Sequence, residues 1–590
     1  MPGPALRGFD NGERAARGKV FLLFTFSLFG VLTFRLFCLQ IIGGERYLRM
    51  SERNRMSIIP VEAPRGLILD RDGRTLVENR PSYTISVLPD MVKDRDKVAS
   101  FLSSITGVDE DEISARIREG RKNPYELVKV KRDADVRMVA EVEENACWMP
   151  GITVQVEPRR SYPYGKLASH LLGYTGEISG EELRRLKERG YLRGEMVGKD
   201  GVEKVYEDFL HGINGVRYIE VNARGKELGP FPGKESKEPV PGADVYLTID
   251  LDLQMAAEEA FPDTLSGALV ALDPNNGEIL AMLSRPTYDL NLFSTVLTFD
   301  TWNRLNLDPK HPLLNRAVQS AYPPGSTAKM VAAIAGLELG VVDECSRYVP
   351  CEGTYRFGNR EYRCWKAHGS LSLTRAIIES CDIFFYQLGR DVGLESWAYY
   401  AGKLGFGRPT GIDLPCESKG LIPTPEYYDR KYGKGRWTEG YLLNISIGQG
   451  EILATPVQLA RYIAAIATGR LVTPHVLARV SGGRSPGGWG VRELDISESS
   501  LSFVRRALLG VVEDEKGTGR LARVSGVAVA GKTGTAQNPH GEDHALFVAF
   551  APFDKPVIAL AVVVENSGHG GSVAAPIARK VISAYLKGRV

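Results

Sequence analysis

The sequence predicts an α+β protein of several domains: a single N-terminal transmembrane helix, an extended middle domain and a C-terminal domain of helices packed on an antiparallel sheet. The first observation is the length of 590 residues, which is more than one hydrophobic core usually organises. The second is a continuous apolar run at residues 20–42. The third is the C-terminal half, where apolar runs of strand length lie near both ends and segments of helical spacing lie between them.

The apolar run at residues 20–42 is the first element. As a helix it would be about 34 Å long, which is enough to cross a bilayer. Arg35 lies near one end, from where its side chain can reach the membrane interface. Basic residues in segment 1–19 predict that this tail stays in the cytoplasm: Arg7, Arg14, Arg17 and Lys19. A cleaved signal peptide and a buried core helix are the alternatives. We expect a single-pass membrane anchor with everything after residue 42 outside the cytoplasm.

Residues 43–241 form the second predicted domain, a non-catalytic pedestal between the membrane and the C-terminal domain. Segment 63–76 has a strand, turn, strand pattern. The polar segment 233–242, which contains Gly and Pro, is typical of a linker, so the C-terminal domain is expected at residues 242–590. The net charge of +2 gives no indication of a nucleic-acid partner, and no P-loop or dinucleotide-binding motif is present.

Three short motifs in the C-terminal domain predict its chemistry. In chain order they are Ser326-Thr-Ala-Lys329, Ser380-Cys-Asp382 and Lys532-Thr-Gly534. A serine hydroxyl needs a neighbouring base to act as a nucleophile, and residues three apart share one face of a helix, so Lys329 can meet Ser326. The preceding Pro-Pro-Gly loop places Ser326 in the first helical turn, where free N–H groups favour a developing negative charge. The motifs together indicate acyl transfer by a serine nucleophile.

The surroundings of the third motif predict the sheet. Segment 527–535 is expected to be a strand that carries Lys532-Thr-Gly534, and two further strands and a closing helix follow it at residues 544–550, 557–564 and 576–587. Segment 268–282 has a strand, turn, strand pattern. We therefore expect strands from both ends of this domain to form one antiparallel sheet, with the nucleophile between the sheet and the helices.

Three of the seven cysteines are close in sequence, and a histidine follows the last of them: Cys345, Cys351, Cys364 and His368. A hairpin turn at Gly358-Asn359 would bring Cys351 and Cys364 together. The pattern fits a Cys351–Cys364 disulfide, a zinc site using Cys351, Cys364 and His368, or unpaired thiols. A disulfide or a metal at this place would support the region before Ser380. It would take no part in the reaction, for which we expect no cofactor.

From end to end the chain resembles a class B penicillin-binding protein. Besides the three motifs, segment 63–73 resembles the N-terminal motif of the family's pedestal, a dimerisation-type domain. Segments 201–212 and 220–225, together with Ser380-Cys-Asp382, resemble the elongation-type branch, the penicillin-binding protein 2 group. Most of the superfamily has Asn where this chain has Asp382. In having Asp at this position, the chain is similar to the elongation-type branch. The resemblance implies the fold that penicillin-binding proteins share with serine β-lactamases.

The resemblance implies a serine-type, penicillin-sensitive D-Ala-D-Ala transpeptidase that cross-links peptidoglycan stem peptides during cell-wall elongation. Ser326 would form the acyl-enzyme, and Lys329 would be its base, which requires a neutral amine. Burial beside Lys532 would favour that neutral form, whereas a negative Asp382 would oppose it. Ser380 would relay a proton to the leaving amine, and Asp382 would orient Lys329 or bind the substrate's backbone.

The family's substrate-binding residues map onto the third motif. Lys532, Thr533 and Thr535 would bind the terminal carboxylate of the substrate. Gly534 would allow the substrate to approach the strand closely. The backbone N–H groups of Ser326 and Thr535 would form the oxyanion hole.

The resemblance also implies partners and a location. The partners are stem peptides on lipid-linked precursor strands, β-lactam antibiotics, a SEDS-type membrane glycosyltransferase and other proteins of the elongation complex. The location is the bacterial cytoplasmic (inner) membrane, with a periplasmic catalytic domain. Three alternatives stay open: a β-lactamase or β-lactam sensor of the same fold, a division-type class B penicillin-binding protein, and a scaffold that works by binding partners.

Overall fold

The structure, a computed structural model, describes residues 11–121, 127–146, 148–221, 227–294, 297–483 and 488–587. Part of the predicted cytoplasmic tail (residues 1–10) and part of the segment 220–225 (residues 222–225) lie outside the described residues. The helices are α1 (Asn11–Phe37), α2 (Gly44–Arg55), α3 (Arg95–Thr106), α4 (Glu110–Gly120), α5 (Val136–Asn145), α6 (Ser169–Leu172), α7 (Gly180–Leu186), α8 (Gly201–Val205), α9 (Glu207–Leu210), α10 (Leu251–Ala260), α11 (Phe299–Asn306), α12 (Lys329–Glu338), α13 (Leu373–Ile378), α14 (Asp382–Val392), α15 (Leu394–Lys403), α16 (Pro425–Tyr432), α17 (Gly440–Ser446), α18 (Pro456–Thr468), α19 (Glu498–Glu513) and α20 (Ala574–Leu586).

The strands complete the regular structure. They are β1 (Met56–Val61), β2 (Ile68–Leu69), β3 (Thr75–Val87), β4 (Val128–Ala134), β5 (Ile152–Ser161), β6 (Thr175–Glu177), β7 (Met196–Gly198), β8 (Gly215–Val221), β9 (Glu227–Pro230), β10 (Val245–Leu247), β11 (Gly267–Leu272), β12 (Ile279–Arg285), β13 (Thr354–Phe357), β14 (Arg360–Arg363), β15 (Arg470–Val472), β16 (Leu477–Val480), β17 (Val491–Glu493), β18 (Ala530–Ala536), β19 (His544–Ala551) and β20 (Ile558–Val564).

The chain folds into two compact units, each built from separate stretches of sequence. The smaller unit takes residues 1–62, 84–155 and 214–239, and the larger takes residues 63–83, 156–213 and 240–590. Strands β3 and β5 therefore each continue from one unit into the other. The domain boundaries expected at residues 42–43 and 241–242 stay predictions.

The smaller unit contains the apolar N-terminal segment. Residues Ala16–Ile42 form the one helical segment, within the described part of the chain, that is long and apolar enough to cross a membrane, and none of it is buried. This unit also has an antiparallel sheet in the order β1-β8-β9. Its hydrophobic core joins helices α3, α4 and α5 to strand residues, for example Leu102 and Ile113 to Ile85 and Val130.

The larger unit is organised around a five-stranded antiparallel sheet in the order β12-β11-β20-β19-β18. Alternate residues of β11 face opposite sides. Ala268, Val270 and Leu272 pack into the core that contains helices α12 and α18, whereas Leu269 and Ala271 pack with α10 and α20. Because both faces are covered by helices, the strands are apolar on both sides.

The expected strands and closing helix are confirmed within a few residues. The strand expected from residue 527 begins at Ala530, and the helix expected from residue 576 begins at Ala574. A second sheet of the larger unit was not predicted: β2 pairs in parallel with β10, and β10 pairs antiparallel with β16. Strands β2, β10 and β16 have only two to four residues each, which is too short for a periodic signal.

Candidate active site

The predicted nucleophile lies where a tight turn becomes a buried helix. Ser326 is the second residue of a 3₁₀ turn, Gly325–Ala328, and α12 begins at Lys329. This turn packs directly on β18, because a Cβ atom placed on Gly534 would come within 2.9 Å of Thr327 Cγ2. Gly534 thus also allows the close approach of the nucleophile turn to the strand, and its expected role in admitting substrate stays a prediction.

Two lysine amines meet at one serine hydroxyl. Lys329 Nζ donates to Ser380 Oγ at 3.2 Å and to the Ser380 carbonyl at 2.8 Å. Lys532 Nζ donates to the same Oγ at 2.8 Å and to the Thr533 carbonyl at 3.1 Å. Both lysine side chains are fully buried. The three motifs, which are far apart in sequence, thus converge on the Ser380 hydroxyl.

One carboxylate forms an ion pair with one of these two amines. Asp382 Oδ1 accepts from Lys329 Nζ at 2.7 Å. Within the described chain no hydrogen bond joins Lys329 Nζ to Ser326 Oγ, so the predicted role of Lys329 as base stays a prediction. Catalytic hydrogen bonds often form only once substrate is bound.

The electrostatics of the site favour a neutral amine at Lys532. Burial lowers the pKa of Lys532 well below its ordinary value, and the nearby charge of Lys329 lowers it further. Burial raises the pKa of Asp382, against the opposing pull of Lys329. Burial thus moves both Lys532 and Asp382 toward their neutral forms.

Ser380 itself has a strained backbone. It lies between α13 and α14 with φ at +54°, in the left-handed region that residues with a side chain rarely adopt. Observed strain of this kind is concentrated at functional sites.

The third motif occupies the edge strand of the sheet. Strand β18 is the last strand in the five-stranded order and pairs with β19. Thr533 Oγ1 lies 2.7 Å from Thr518 Oγ1. Gln449 Nε2 donates to the Thr535 carbonyl at 2.8 Å. Sequence reasoning missed Thr518 and Gln449, although the glycines on both sides of Gln449 mark a loop that approaches other backbone closely.

The cysteine cluster is assembled, with one member that was missed. Cys351, Cys364, His368 and Cys381 present their ligand atoms within 4.8 Å of one another. Cys381, the middle residue of the second motif, was not predicted as part of the cluster. Cys345 is exposed and stands apart, contrary to the expected grouping. The described cysteines are free thiols in this structure.

The cluster has the donors that a zinc ion prefers, three thiols and an imidazole. His368 Nδ1 lies 3.4 Å from Cys351 Sγ and 3.5 Å from Cys364 Sγ. Contacts with the Cys381 thiol and with His368 lower the pKa of Cys364, which favours the thiolate form that binds metal. These residues therefore fit a structural metal.

Two family models cover most of the chain. The penicillin-binding protein dimerisation domain matches residues 60–247. The penicillin-binding protein transpeptidase domain matches residues 267–583, which include the three motifs. The chain belongs to the penicillin-binding proteins.

Individual relatives of this penicillin-binding protein belong to the same family that the two models identify. The peptidoglycan D,D-transpeptidase MrdA of Acinetobacter baumannii is 36% identical over 98% of this chain and 89% of that protein. A penicillin-binding protein, PBP2 of Helicobacter pylori, solved in complex with MreC, is 30% identical, with a TM-score of 0.78 over 91% of this chain and 99% of that chain. A chain from a solved peptidoglycan synthase complex is 31% identical, with a TM-score of 0.71 over 97% of this chain and 98% of that chain.

These findings confirm the predicted family, the two-part fold and the predicted activity. This penicillin-binding protein is a peptidoglycan D,D-transpeptidase of the elongation type. The β-lactamase, β-lactam sensor and division-type alternatives are not favoured.

Proposed function

We propose that this penicillin-binding protein cross-links stem peptides through an acyl-enzyme on Ser326. The observation that carries the proposal is the position of Ser380 Oγ, 3.2 Å from Lys329 Nζ and 2.8 Å from Lys532 Nζ. This arrangement is a hydrogen-bonded path along which a proton can pass between two buried amines, beside the turn that holds Ser326.

The first half-reaction forms the acyl-enzyme. Ser326 Oγ attacks the carbonyl carbon of the penultimate D-Ala, and its proton passes to the neutral amine of Lys329. Lys329 reaches that neutral form by giving a proton to the Ser380 hydroxyl, which passes its own proton to the amine of Lys532. The peptide C–N bond then breaks, and the terminal D-Ala leaves with a proton relayed through Ser380.

The second half-reaction forms the cross-link. The amine of a neighbouring stem peptide attacks the acyl-enzyme carbonyl, loses a proton to the same amine pair, and forms a new amide bond. The Ser326 oxygen leaves and recovers its proton. The result is a peptide bond between two stem peptides in place of the bond to the released D-Ala.

We assign substrate binding to the third motif on β18, the terminal strand of the sheet. Lys532, Thr533 and Thr535 bind the terminal carboxylate, and Gly534 keeps the strand close to the nucleophile turn. The N–H groups of Ser326 and Thr535 stabilise the developing oxyanion. A β-lactam mimics D-Ala-D-Ala and acylates Ser326 in the same way.

The organisation around the membrane follows from the family. We assign residues 1–19 to the cytoplasm, 20–42 to the anchor, 43–241 to the pedestal and 242–590 to a periplasmic transpeptidase domain. The matched family segments at 60–247 and 267–583 support this division. The relatives solved with MreC and in a peptidoglycan synthase complex support elongation-complex partners, among them a SEDS-type glycosyltransferase.

The test is the intact mass of the detergent-solubilised protein after incubation with a penicillin, beside Ser326→Ala. A persistent adduct that requires Ser326 is expected. An adduct that disappears as the antibiotic is consumed would indicate a β-lactamase, and no adduct in a folded sample would contradict the proposal.

We also propose that Cys351, Cys364, His368 and Cys381 hold a structural zinc ion. The ion would brace the segment that leads into Ser380 and would take no part in the chemistry. The expected result is about one zinc per chain by elemental analysis of protein purified without chelator. Cys364→Ser should lose the zinc, and the matched control Cys345→Ser should keep it. Zinc-free protein with a Cys351–Cys364 disulfide would overturn the assignment.

A further inference from the structure

The conformation of Ser380 needs an explanation beyond its own motif. A left-handed backbone at a residue with a side chain persists only where its surroundings hold it. The peptide group that joins Glu379 to Ser380 is the one that must be fixed, since its orientation sets φ of Ser380. Its N–H donates to the Ile377 carbonyl at 3.2 Å.

The carbonyl of that peptide is held by two ring nitrogens. Trp365 Nε1 donates to the Glu379 carbonyl oxygen at 3.2 Å, and His368 Nε2 lies 3.2 Å from the same oxygen. His368 also belongs to the thiol cluster, so its orientation depends on that cluster. Trp365 is the donor outside the cluster.

The Glu379 side chain is held as firmly as its carbonyl. Its buried carboxylate accepts from Lys366 Nζ at 3.1 Å and from Arg375 Nη2 at 2.8 Å. Residues 365 and 366 thus contact both the main chain and the side chain of Glu379, and the residue next to Ser380 cannot rotate without breaking several hydrogen bonds.

The contacts of the Trp365 ring are distinct from the hydrogen bond of its indole N–H. Trp365 is 58% exposed. Its ring contacts the His368 ring edge-on at 5.2 Å between centroids, and Lys366 Nζ lies 4.7 Å from its centroid; a phenylalanine ring can make the same two contacts. The specific contribution of Trp365 is its indole N–H.

We propose that Trp365 is a positioning residue for transpeptidation: its indole N–H fixes the Glu379–Ser380 peptide and keeps the Ser380 hydroxyl between Lys329 and Lys532. The inference rests on the function proposed above. Without this donor the peptide can turn, φ of Ser380 relaxes toward negative values, and Oγ leaves the position 2.8 Å from Lys532 Nζ. The third motif on β18 is not altered, so the chemical step is affected and binding is not.

The experiment separates these two steps in the full-length protein in detergent. Acylation by a fluorescent penicillin is followed over a range of concentrations, which yields a dissociation constant and a first-order acylation rate constant. Trp365→Phe keeps an aromatic ring and removes the N–H. We expect the acylation rate constant to fall about fivefold, which corresponds to the free energy that one typical hydrogen bond contributes. The dissociation constant and the metal content should stay unchanged, and the melting temperature should fall no further than in the control variant that loses one indole hydrogen bond elsewhere.

The matched control is Trp437→Phe. Trp437 Nε1 donates to Asp429 Oδ1 at 2.8 Å, so the control also loses one indole hydrogen bond, away from Ser380. It should acylate at the rate of the unchanged protein. A second variant replaces Trp365 by 3-benzothienylalanine, which keeps the shape of the indole and lacks only the N–H, and it should reproduce the effect of Trp365→Phe.

Two results would overturn the inference while leaving the proposed function intact. One is acylation of both Trp365 variants at the rate of the unchanged protein. The other is a slower acylation accompanied by an equal loss of binding, or by a melting temperature well below that of Trp437→Phe, which would mean that Trp365 only supports the fold. Absence of any Ser326 adduct in the unchanged protein would instead refute the proposed function, and the inference with it.

Discussion

At the scale of single residues, the site concentrates two basic groups and one acidic group around a hydroxyl. Lys329 and Lys532 are fully buried, and Asp382 is the carboxylate that pairs with Lys329 at 2.7 Å. Burying two amines beside one carboxylate costs folding free energy. Removing a cation and removing the anion should therefore change stability in opposite directions.

The first prediction concerns Lys532→Met. Because its pKa is lowered in the folded protein, the unfolded chain binds a proton that the folded chain releases, so the free energy of unfolding rises with pH up to the ordinary lysine value of 10.5. The methionine variant lacks this penalty and should be more stable at pH 7 by about 1 kcal/mol or more, while inactive. Its advantage should shrink as the pH approaches 10.5.

Denaturant titration of both proteins at several pH values measures this difference. Lys403→Met is the control, because Lys403 is partly exposed and paired with Asp495, and it should give no such gain. A Lys532→Met protein less stable than the parent at pH 7 would refute the argument.

The second prediction is that Asp382→Ala destabilises the protein by about 3 kcal/mol or more, because it leaves the buried amine of Lys329 without its counter-charge. The free energy of unfolding at pH 7 is the measurement. Asp252→Ala, at a carboxylate that is 81% exposed and paired with Arg74, should cost less than about 1 kcal/mol. Equal effects of the two changes would show that Asp382 does not neutralise the site.

Residue identities were the most predictable part of the site, because local spacing defines the three motifs. The shared hydroxyl could not be predicted, since Lys532 and Ser380 are 152 positions apart and only the tertiary fold joins them. The same reason explains why Gln449 was missed, with its partner Thr535 86 positions away. Cys381 was missed although it lies inside a motif, because its cluster partners Cys351 and Cys364 come from the preceding hairpin.

At the scale of elements, the nucleophile turn is held between a loop and a strand by contacts that only glycine allows. The N–H of Gly325 donates to the Gly448 carbonyl at 2.8 Å. A Cβ on Gly448 would lie 2.0 Å from the Gly325 carbonyl oxygen, and a Cβ on Gly325 would lie 2.5 Å from the Thr535 carbonyl oxygen. The spacing between these three backbones leaves no room for a side chain.

The third prediction follows from this contact. Gly448→Ala should displace the nucleophile turn and slow Ser326 acylation by about a hundredfold or more, since a shift of about 1 Å can cost that much. Gly450→Ala is the matched control, because Gly450 also has a positive φ and its nearest contact for a Cβ is 3.4 Å away. The rate of penicillin acylation and the melting temperature are measured together. Equal acylation rates in the two variants would contradict the prediction.

The elements themselves were largely predictable where their hydrophobic pattern is long. Strands β19 and β20 begin within one residue of their predicted starts, because both are apolar runs bounded by polar residues. The pairing of β2 with β10 was not predictable. Its register, Val245 with Ile68, joins two short strands across a long stretch of chain.

At the scale of the whole molecule, the larger unit draws on three separate stretches of sequence. Residues 63–83 contribute β2 and most of β3, and residues 240–590 contribute β10 and β16 of the same sheet. Within this unit Leu67 N also donates to Asp244 Oδ1 at 2.8 Å. The larger unit therefore also includes segments that precede residue 240.

The fourth prediction concerns where this unit can be cut. A fragment of residues 242–590 lacks β2, so β10 would lose its parallel partner and expose an unpaired edge. It should be less soluble and melt several degrees lower than a fragment of residues 43–590. Soluble yield and thermal unfolding measure the difference. A shorter fragment that matches the longer one in both would show that β2 adds nothing to the stability of this unit.

Because strands from distant parts of the sequence share one sheet of the larger unit, this sheet is completed late in synthesis. Strand β2 ends at Leu69 and β16 begins at Leu477, so ribosomes working at roughly 5–20 residues per second produce the two strands roughly 20–80 s apart. From the synthesis of β10 at Val245–Leu247 until that of β16, β10 lacks its antiparallel partner, and the sheet they share cannot close. The nascent chain is therefore exposed to proteases and to strand pairing with neighbouring nascent chains until its synthesis is nearly finished.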